Sequence, residues 1–128
     1  SKGMLAKAEL KETYDTLHQS ELVTFLEESD QTFDLVTATD VFVYIGNLEP
    51  VFAAVVDRLD DQGLFLFSTE KGEMEDFIIT PTGRFKHSSH YILGLAEKYG
   101  LSLVEHRQDV VRKEKGEDVD GDLFLFEI

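Results

Sequence analysis

The stretch FDLVTATDVFVYIGNLEPVFAAVVDRLDDQGLFLFSTE, residues 33–70, decides the fold of this chain. Its first part, up to Ile45, is rich in β-branched residues and is apolar on both faces near its start. This pattern is typical of a strand inside a sheet that helices cover on both sides. An acid, Asp40, interrupts the apolar run. We interpret Asp40 and Val41 as the carboxyl end of the buried strand.

A helix and a second strand follow at once. Asn47 is placed to cap the helix, Pro50 lies in the first turn, where proline is tolerated, and Gly63 fits the left-handed position after the last turn. The predicted apolar face of the helix consists of Val51, Phe52, Val55, Val56 and Leu59. GLFLFSTE, residues 63–70, is then a second buried strand. The strand–helix–strand unit predicts parallel strands joined by a right-handed crossover.

The segment before this unit is weakly patterned. The opening residues, SKGMLAKAELKET, indicate a helix that Ser1 would cap. Leu17–Leu22 is a candidate short strand, and Leu22, Phe25 and Leu26 suggest a turn of helix after it.

The segment after the unit continues the α/β pattern. Phe77–Thr80 is a candidate extended piece, and Ser88 or Ser89 would cap a helix that Gly100 terminates. LSLVEHRQDVVR and DLFLFEI predict two more strands in an antiparallel hairpin at the end of the chain. The predicted fold class is therefore α/β, in a single domain that spans residues 1–128, with parallel strands, crossover helices and a C-terminal antiparallel hairpin.

The composition narrows the class of protein. The 128 residues are 42 % hydrophobic and include ten Phe, so a packed core is expected and disorder is not. The chain has no Cys, which excludes disulfides and thiolate metal sites. Its net charge of −14 repels phosphate backbones, so nucleic acid is not an expected partner. No apolar run approaches the roughly 20 residues that span a membrane, and no signal peptide opens the chain; the expected location is the cytoplasm.

Residues 33–70 and the segments around them resemble class I S-adenosylmethionine-dependent methyltransferases. In that family a strand of the form FDLVxxxDV is followed by a helix ending RLxxGG, and the next strand reads GLFxFS. This chain has FDLVTATDV, RLDDQG and GLFLFS, with Gln62-Gly63 in place of Gly-Gly. SKGML resembles the start of the family's second helix, and GRFKHS and YILGLAEKYGLSLVE resemble its fifth helix and sixth strand. The resemblance covers nearly the whole chain and implies a Rossmann-like fold with the family's terminal hairpin.

The family's cofactor loop is not found in this sequence. The nine glycines are scattered, with no G-x-G pattern, and no acidic strand end precedes Ser1. The resemblance therefore implies an N-terminally truncated domain that lacks the family's first two strands and binds the cofactor weakly or not at all by itself. Without those strands, Phe33–Ile45 would be an open sheet edge. We expect it either to form a homodimer or to pair directly with Leu17–Leu22.

The resemblance also implies candidate residues for S-adenosylmethionine. Asp40 and Val41 would pass close to the methionine part of the cofactor; the alternative is that Asp40 bonds local backbone amides. Glu21, with Leu22 beside it, follows the weak strand, where the family has an acid that contacts the adenine amine; alternatively, Glu21 is a solvated loop residue. Met4 resembles the family's apolar residue beside the adenine ring, although a Met on a helix is more often a packing residue.

Three residues are candidates for the site of the methyl acceptor. Tyr44 lies in the loop after the strand end. Arg84 and His87 lie in the long connection after FSTE, where many methyltransferases build substrate contacts. His87 is the candidate general base, because His carries protons near neutral pH; the alternative is a histidine on a surface loop.

The sequence indicates no metal site. The four histidines show no ligand spacing such as H-x-x-x-H. Asp118, Asp120 and Asp122 match the first alternating ligands of a calcium loop, but the position that requires Gly is Leu123. We interpret this segment as a charged hairpin turn.

The predicted function is methyl transfer from S-adenosylmethionine to a small-molecule or protein acceptor, in an enzyme of which this chain is a part. The sulfonium is already an activated methyl donor, so the enzyme mainly aligns the reactants and excludes water. Two alternatives stay open. One is a non-catalytic α/β interaction domain that keeps the fold without binding the cofactor. The other is a nucleotide-binding Rossmann domain with different chemistry.

Overall fold

The computed structural model describes residues 7–9, 19–29, 31–38, 41–72, 76–81, 83–114 and 116–128. The strands are β1 (Lys7–Glu9), β2 (Phe33–Ala38), β3 (Leu59–Glu70), β4 (Phe77–Ile79), β5 (Phe85–His87), β6 (Ser102–Glu114) and β7 (Glu117–Glu127). The α-helices are α1 (Gln19–Glu27), α2 (Glu49–Arg58) and α3 (Ser89–Lys98), with a 3-10 turn at Phe42–Tyr44.

The central sheet has five strands in the order β1-β2-β3-β7-β6. β1, β2 and β3 are parallel, whereas β7 is antiparallel to β3 and β6 is antiparallel to β7. β4 and β5 form a separate two-stranded antiparallel sheet. This arrangement confirms the predicted α/β fold with parallel strands, a crossover helix and an antiparallel hairpin.

The helix α2 is the crossover between the parallel strands β2 and β3. Oδ1 of Asn47 accepts a hydrogen bond from the backbone N–H of Glu49 at 3.1 Å, so Asn47 satisfies a free amide at the start of the helix. Leu48 is the residue that immediately precedes the helix, and Pro50 lies in the first turn. The predicted position of Pro50 is confirmed, but the cap prediction is wrong by one residue, because Leu48 and not Asn47 occupies the N-cap position.

The first residues of β3, which starts at Leu59, differ from the prediction in one detail. We expected Gly63 in the left-handed conformation, but the residue with a positive φ, of 64°, is Gln62. At Gly63 a Cβ would lie 2.8 Å from the carbonyl oxygen of Asp60. Glycine is therefore needed at this position for space and not for its backbone freedom.

One face of the sheet carries an aromatic core. Phe65 and Phe67 of β3 pair in register with Phe126 and Phe124 of β7, and all four side chains are fully buried. Phe52 of α2 packs edge-on against the two β3 rings, with centroid distances of 5.5 and 5.6 Å. Burying one Phe side chain contributes about 1.5–3 kcal/mol, so this cluster anchors α2 to the sheet.

Two predicted elements before β2 are wrong. Lys7–Glu9 forms the strand β1 where we expected a helix, and β1 pairs in parallel with β2. The helix α1 replaces the strand expected at Leu17–Leu22, so far as the structure describes those residues. Leu22 and Leu26 are one helical turn apart and both buried, so a helix places them on one face against the core.

The strand β2 is shorter than expected and is not an open edge. It ends at Ala38 instead of Ile45, and a 3-10 turn follows. The β-branched residues Val41, Val43 and Ile45 reflect burial in the core and not strand structure. β1 pairs with β2 on the side that we expected to be open. We had expected a second copy of the chain or Leu17–Leu22 to pair there.

The predictions for the segment after β3 agree better with the structure. β4 lies within the predicted extended piece Phe77–Thr80. The Ser88 side chain caps α3 by accepting a hydrogen bond from the backbone N–H of Tyr91, and Gly100 follows the helix with a φ of 76°. The hairpin of β6 and β7 is confirmed, but its turn contains Gly116, with a φ of 79°, and Asp118, Asp120 and Asp122 belong to β7 instead of the turn that we expected. β5 was not expected.

Candidate functional site

The carboxyl ends of the parallel strands β2 and β3 lie at the same edge of the sheet. β2 ends at Ala38 and β3 at Glu70. In open α/β sheets, ligands bind beyond this edge. The loop at residues 41–48 follows β2, and the β4–β5 hairpin follows β3. These two segments contact each other and form the candidate site.

A buried ion pair lies at the end of β3. Nε of Arg84 donates to Oε2 of Glu70 at 2.7 Å, and the two side chains are only 15 % and 3 % exposed. Nη1 of Arg84 also donates to the Tyr44 hydroxyl at 3.2 Å, and the guanidinium lies 5.3 Å from the centre of the Tyr44 ring. The structure thus brings two predicted acceptor-site residues, Tyr44 and Arg84, into direct contact. The bond to Glu70 fixes the orientation of the Arg84 guanidinium beside the Tyr44 ring.

His87 is fully buried and ties the two segments together. Its Nε2 lies 2.8 Å from the carbonyl oxygen of Ile45 and 3.0 Å from that of Gly46. Because carbonyl oxygens only accept hydrogen bonds, Nε2 carries the proton and Nδ1 carries the lone pair. The ring packs beside Phe77 and Tyr91, with centroid distances of 5.9 and 6.1 Å. His87 is therefore not a surface-loop residue, and in this position it holds the loop after β2.

The burial of His87 predicts a dependence of stability on pH. Burial lowers the pKa of His87 below its ordinary value of 6.5, and the hydrogen bonds to the loop carbonyls and the charge of Glu70 oppose this less strongly. The unfolded chain therefore binds this proton more readily than the folded protein, so stability falls as the pH drops below about 6.5. Glutamine at this position can still donate a hydrogen bond to a carbonyl, but it does not titrate. We therefore expect the stability of the His87→Gln variant to fall less between neutral and acidic pH than that of the wild type.

The measurement is the free energy of unfolding at about pH 7.5 and about pH 5.5 for the wild type and the His87→Gln variant. His90→Gln is the control, because His90 is exposed on α3. The same pH dependence in the His87 and His90 variants would contradict the prediction.

Gly46 leaves no room for a side chain in the loop after β2. A Cβ at this position would lie 2.7 Å from Cε2 of Phe77 and 2.7 Å from Cε1 of Phe85, both in the β4–β5 hairpin. Two residues later, the backbone N–H of Leu48 donates to the Tyr91 hydroxyl at 3.0 Å. The hairpin and α3 therefore fix this loop together, which gives the candidate site a defined shape.

The residues predicted to bind the cofactor are described only in part. Met4 and Asp40 lie outside the described residues, and so does the side chain of Glu21, whose backbone belongs to α1. Leu22 and Val41 are buried in the hydrophobic core. A contact between either of these two residues and a ligand would have to come from the backbone.

Two residues of the site, Glu70 and Gly46, were not predicted from the sequence. Glu70 ends a buried strand, as Asp40 was expected to do, so the same reasoning about an acid at the carboxyl end of a strand would have found it. Gly46 carries no comparable signal, because the rings that crowd it, Phe77 and Phe85, come from a distant part of the sequence.

The described residues offer no metal centre. Within them, no group of three or more His, Cys, Asp or Glu side chains is arranged to hold a metal ion. In the same part of the chain, no helix is long and apolar enough to cross a membrane.

Solved structures with a similar fold include several S-adenosylmethionine-dependent methyltransferases. One from Methanosarcina mazei has a TM-score of 0.61 at 8 % sequence identity. The matched region is 80 % of this chain and 63 % of the Methanosarcina mazei chain. The N-methyltransferase NodS from Bradyrhizobium japonicum, in complex with S-adenosyl-L-homocysteine, has a TM-score of 0.58 at 20 % identity. The matched region is 83 % of this chain and 50 % of the NodS chain. Magnesium protoporphyrin IX methyltransferase from Synechocystis, also with bound S-adenosylhomocysteine, has a TM-score of 0.58 at 11 % identity. The matched region is 80 % of this chain and 48 % of the Synechocystis chain.

The chain therefore has the Rossmann-like fold of class I methyltransferases, as the resemblance in sequence implied. It spans about half to two thirds of the length of these solved structures. No protein-family model matches the chain, and no curated protein matches it significantly in sequence.

Proposed function

We propose that the protein binds S-adenosylmethionine and takes part in the transfer of its methyl group to a small-molecule or protein acceptor. The observation that carries this proposal is the fold, which is similar over about 80 % of the chain to methyltransferases, two of them with S-adenosylhomocysteine bound. A fold alone does not imply a function. The polar cluster at the carboxyl edge of the parallel strands adds support, because ligands of such sheets bind there.

For the cofactor, we propose the region around the end of β2. Asp40 would accept a hydrogen bond from the cofactor's amine, and Val41 would contribute its backbone. Glu21, Leu22 and Met4 would lie on the adenine side. When bound, the cofactor supplies a methyl group already activated on a sulfonium.

For the acceptor, we propose the cluster of Tyr44 and Arg84. Because Glu70 already neutralises Arg84, the guanidinium would fix the Tyr44 hydroxyl instead of binding an anionic substrate. A hydroxyl in a fixed position lowers the entropic cost of aligning the acceptor. His87 remains the proposed proton acceptor through Nδ1, which has no hydrogen-bond partner among the described residues. Since the ring is fully buried, this role requires the β4–β5 hairpin to move.

Calorimetric titration with S-adenosylhomocysteine tests the proposal. We expect binding that Asp40→Asn weakens by about tenfold or more, since the amide oxygen of Asn can still accept the hydrogen bond but lacks the negative charge that strengthens it. The matched change Asp57→Asn, at an exposed position of α2, should leave the affinity unchanged.

We further propose that this chain by itself binds the cofactor weakly. Where the source gene encodes residues before Ser1, the longer polypeptide should bind more tightly in the same titration. Binding by neither form would contradict the methyltransferase proposal. It would favour a non-catalytic α/β interaction domain that keeps the fold without binding the cofactor.

Partners and location are also proposals. The net charge of −14 disfavours nucleic acid as a partner, and on composition we propose a cytoplasmic location. A homodimer would have to use a sheet edge other than that of β2, because β1 pairs there.

A further inference from the structure

The strand β6 forms a long open edge of the central sheet. It has 13 residues and stands last in the strand order β1-β2-β3-β7-β6, so among the described residues β7 is its only neighbour in the sheet. At the opposite end of the sheet, β1 has only three residues. An open edge presents unpaired backbone N–H and C=O groups to other chains. β6 is therefore the end of the sheet with the larger capacity for pairing.

The middle of β6 is regular. Its register with β7 is continuous from Glu105 to Val110 and is interrupted on both sides, between Leu103 and Glu105 and between Val110 and Arg112. Bulges of this kind bend a strand and help to protect an edge from pairing. No interruption occurs within Glu105–Val110, which also contains neither Pro nor Lys. We call this stretch the edge segment.

The side chains of the edge segment are open to solvent, except that of His106, which is half-buried. Glu105, Arg107 and Asp109 share one face of the strand, because side chains alternate along it. Nε of Arg107 lies 2.5 Å from Oε2 of Glu105, and the two side chains are 68 % and 51 % exposed. On the other face, Val110 is an apolar side chain that is 43 % exposed. The edge segment thus offers an alternation of acid, base and acid beside an exposed apolar residue.

This alternation of charges is complementary to a second copy of itself. In an antiparallel pair with a twofold axis at Gln108, Arg107 of each copy lies opposite Asp109 of the other, and no like charges are opposed. With an axis at Arg107, the two arginines would be opposed, and Glu105 would lie opposite Asp109. Opposite charges on directly opposed residues stabilise a sheet, and like charges destabilise it. The charges therefore exclude the axis at Arg107.

The breaks in register distinguish the remaining arrangements. An axis at His106 also opposes Glu105 and Arg107, but the next residue on each side lies beyond the break at Glu105. An axis at Gln108 pairs the whole stretch from His106 to Val110 without meeting a break. It also covers the exposed Val110 side chain with His106 of the other copy. Charge and register together thus favour the axis at Gln108.

We propose that a second copy of this chain pairs antiparallel with the edge segment, about a twofold axis at Gln108. The two five-stranded sheets then become one continuous sheet. Pairing requires Oδ1 of Asp109 to release the backbone N–H of Val110, from which it accepts a hydrogen bond at 2.8 Å in the single chain. The contact is short, so we expect a dissociation constant in the micromolar range. The proposal does not depend on S-adenosylmethionine binding.

Sedimentation velocity over a range of protein concentrations tests the proposal. At an ionic strength of about 0.15 M, charges more than about 8 Å apart are largely screened, so the net charge of −14 does not keep two copies apart. We expect the mass to rise with concentration from 14.5 kDa towards twice that value. Arg107→Asp replaces both attractive pairs by repulsive ones and should weaken the dimer by about tenfold or more.

Two further variants identify the surface. Arg107→Asp combined with Asp109→Arg exchanges the charges, restores opposite signs across the axis and should restore the dimer. Lys98→Glu makes the same change of net charge as Arg107→Asp, but on α3, at a side chain that is 57 % exposed, and it should leave the dimer unchanged.

Three outcomes would overturn the proposal. The first is a mass that stays at 14.5 kDa up to millimolar concentrations. The second is a dimer that Arg107→Asp weakens no more than Lys98→Glu does, which would mean that the copies associate through another surface. The third is a charge-exchange variant that stays as monomeric as Arg107→Asp.

Discussion

Replacing Arg84 with methionine is expected to lower the free energy of unfolding by about 3–5 kcal/mol. The change leaves the Glu70 carboxylate buried at the end of β3 without the guanidinium that lies 2.7 Å from it. Breaking a buried pair costs more than the pair contributes, because removing one partner does not return the other charge to water. The measurement is urea unfolding at neutral pH.

A second variant separates the buried charge from the loss of packing. Arg84→Met combined with Glu70→Gln removes the carboxylate charge, so we expect the double variant to be more stable than Arg84→Met. Lys113→Met is the surface control, since Lys113 is 74 % exposed and its partner Asp118 is 57 % exposed; it should change stability little. If Arg84→Met is no more destabilising than Lys113→Met, the ion pair does not stabilise the site.

Replacing Phe67 with alanine is also expected to lower the free energy of unfolding by about 3–5 kcal/mol. Phe67 is fully buried. Its ring centroid lies between 4.7 and 5.8 Å from those of Phe42, Phe52, Phe65, Phe124 and Phe126. These rings belong to the 3-10 turn, α2, β3 and β7, so no movement of a single element can fill the cavity. We therefore expect a cost toward the upper part of the range.

Two variants calibrate this result in the same urea experiment. Phe25→Ala removes the same side chain from a position on α1 that is 53 % exposed, and it should have little effect. Phe67→Leu leaves a smaller cavity and should fall between Phe67→Ala and the wild type. Similar losses from Phe67→Ala and Phe25→Ala would mean that the aromatic cluster is not the core of the fold.

The central strand–helix–strand unit could be predicted because its signals are local. The apolar periodicity and Pro50 in the first turn locate α2 without any knowledge of the rest of the chain. The segment before β2 could not be predicted in this way. Lys, Ala and Glu, which make up Lys7–Glu9, favour helices by themselves, and this segment is a strand because β2 offers it a parallel partner. Pairing with a distant segment overrides the local preference.

The location of the candidate site could be predicted, but its contacts could not. The rule that ligands bind beyond the carboxyl ends of parallel strands placed Tyr44 and Arg84 near one edge of the sheet. Their contact with Glu70 depends on the β4–β5 hairpin, whose short strands have no strong pattern in the sequence. The burial of His87 has the same origin, because it follows from the packing of this hairpin on the loop after β2.

The order of the strands affects how the protein can fold while it is being synthesised. β7 lies between β3 and β6, although it follows both of them in the chain. As the polypeptide leaves the ribosome, one backbone edge of β3 therefore waits for its partner until β7 has been translated. Apolar strands with an open edge are prone to aggregate during such an interval. The yield of folded protein should thus depend on how quickly the ribosome passes through α3 and β6, and on chaperones that shield the nascent chain.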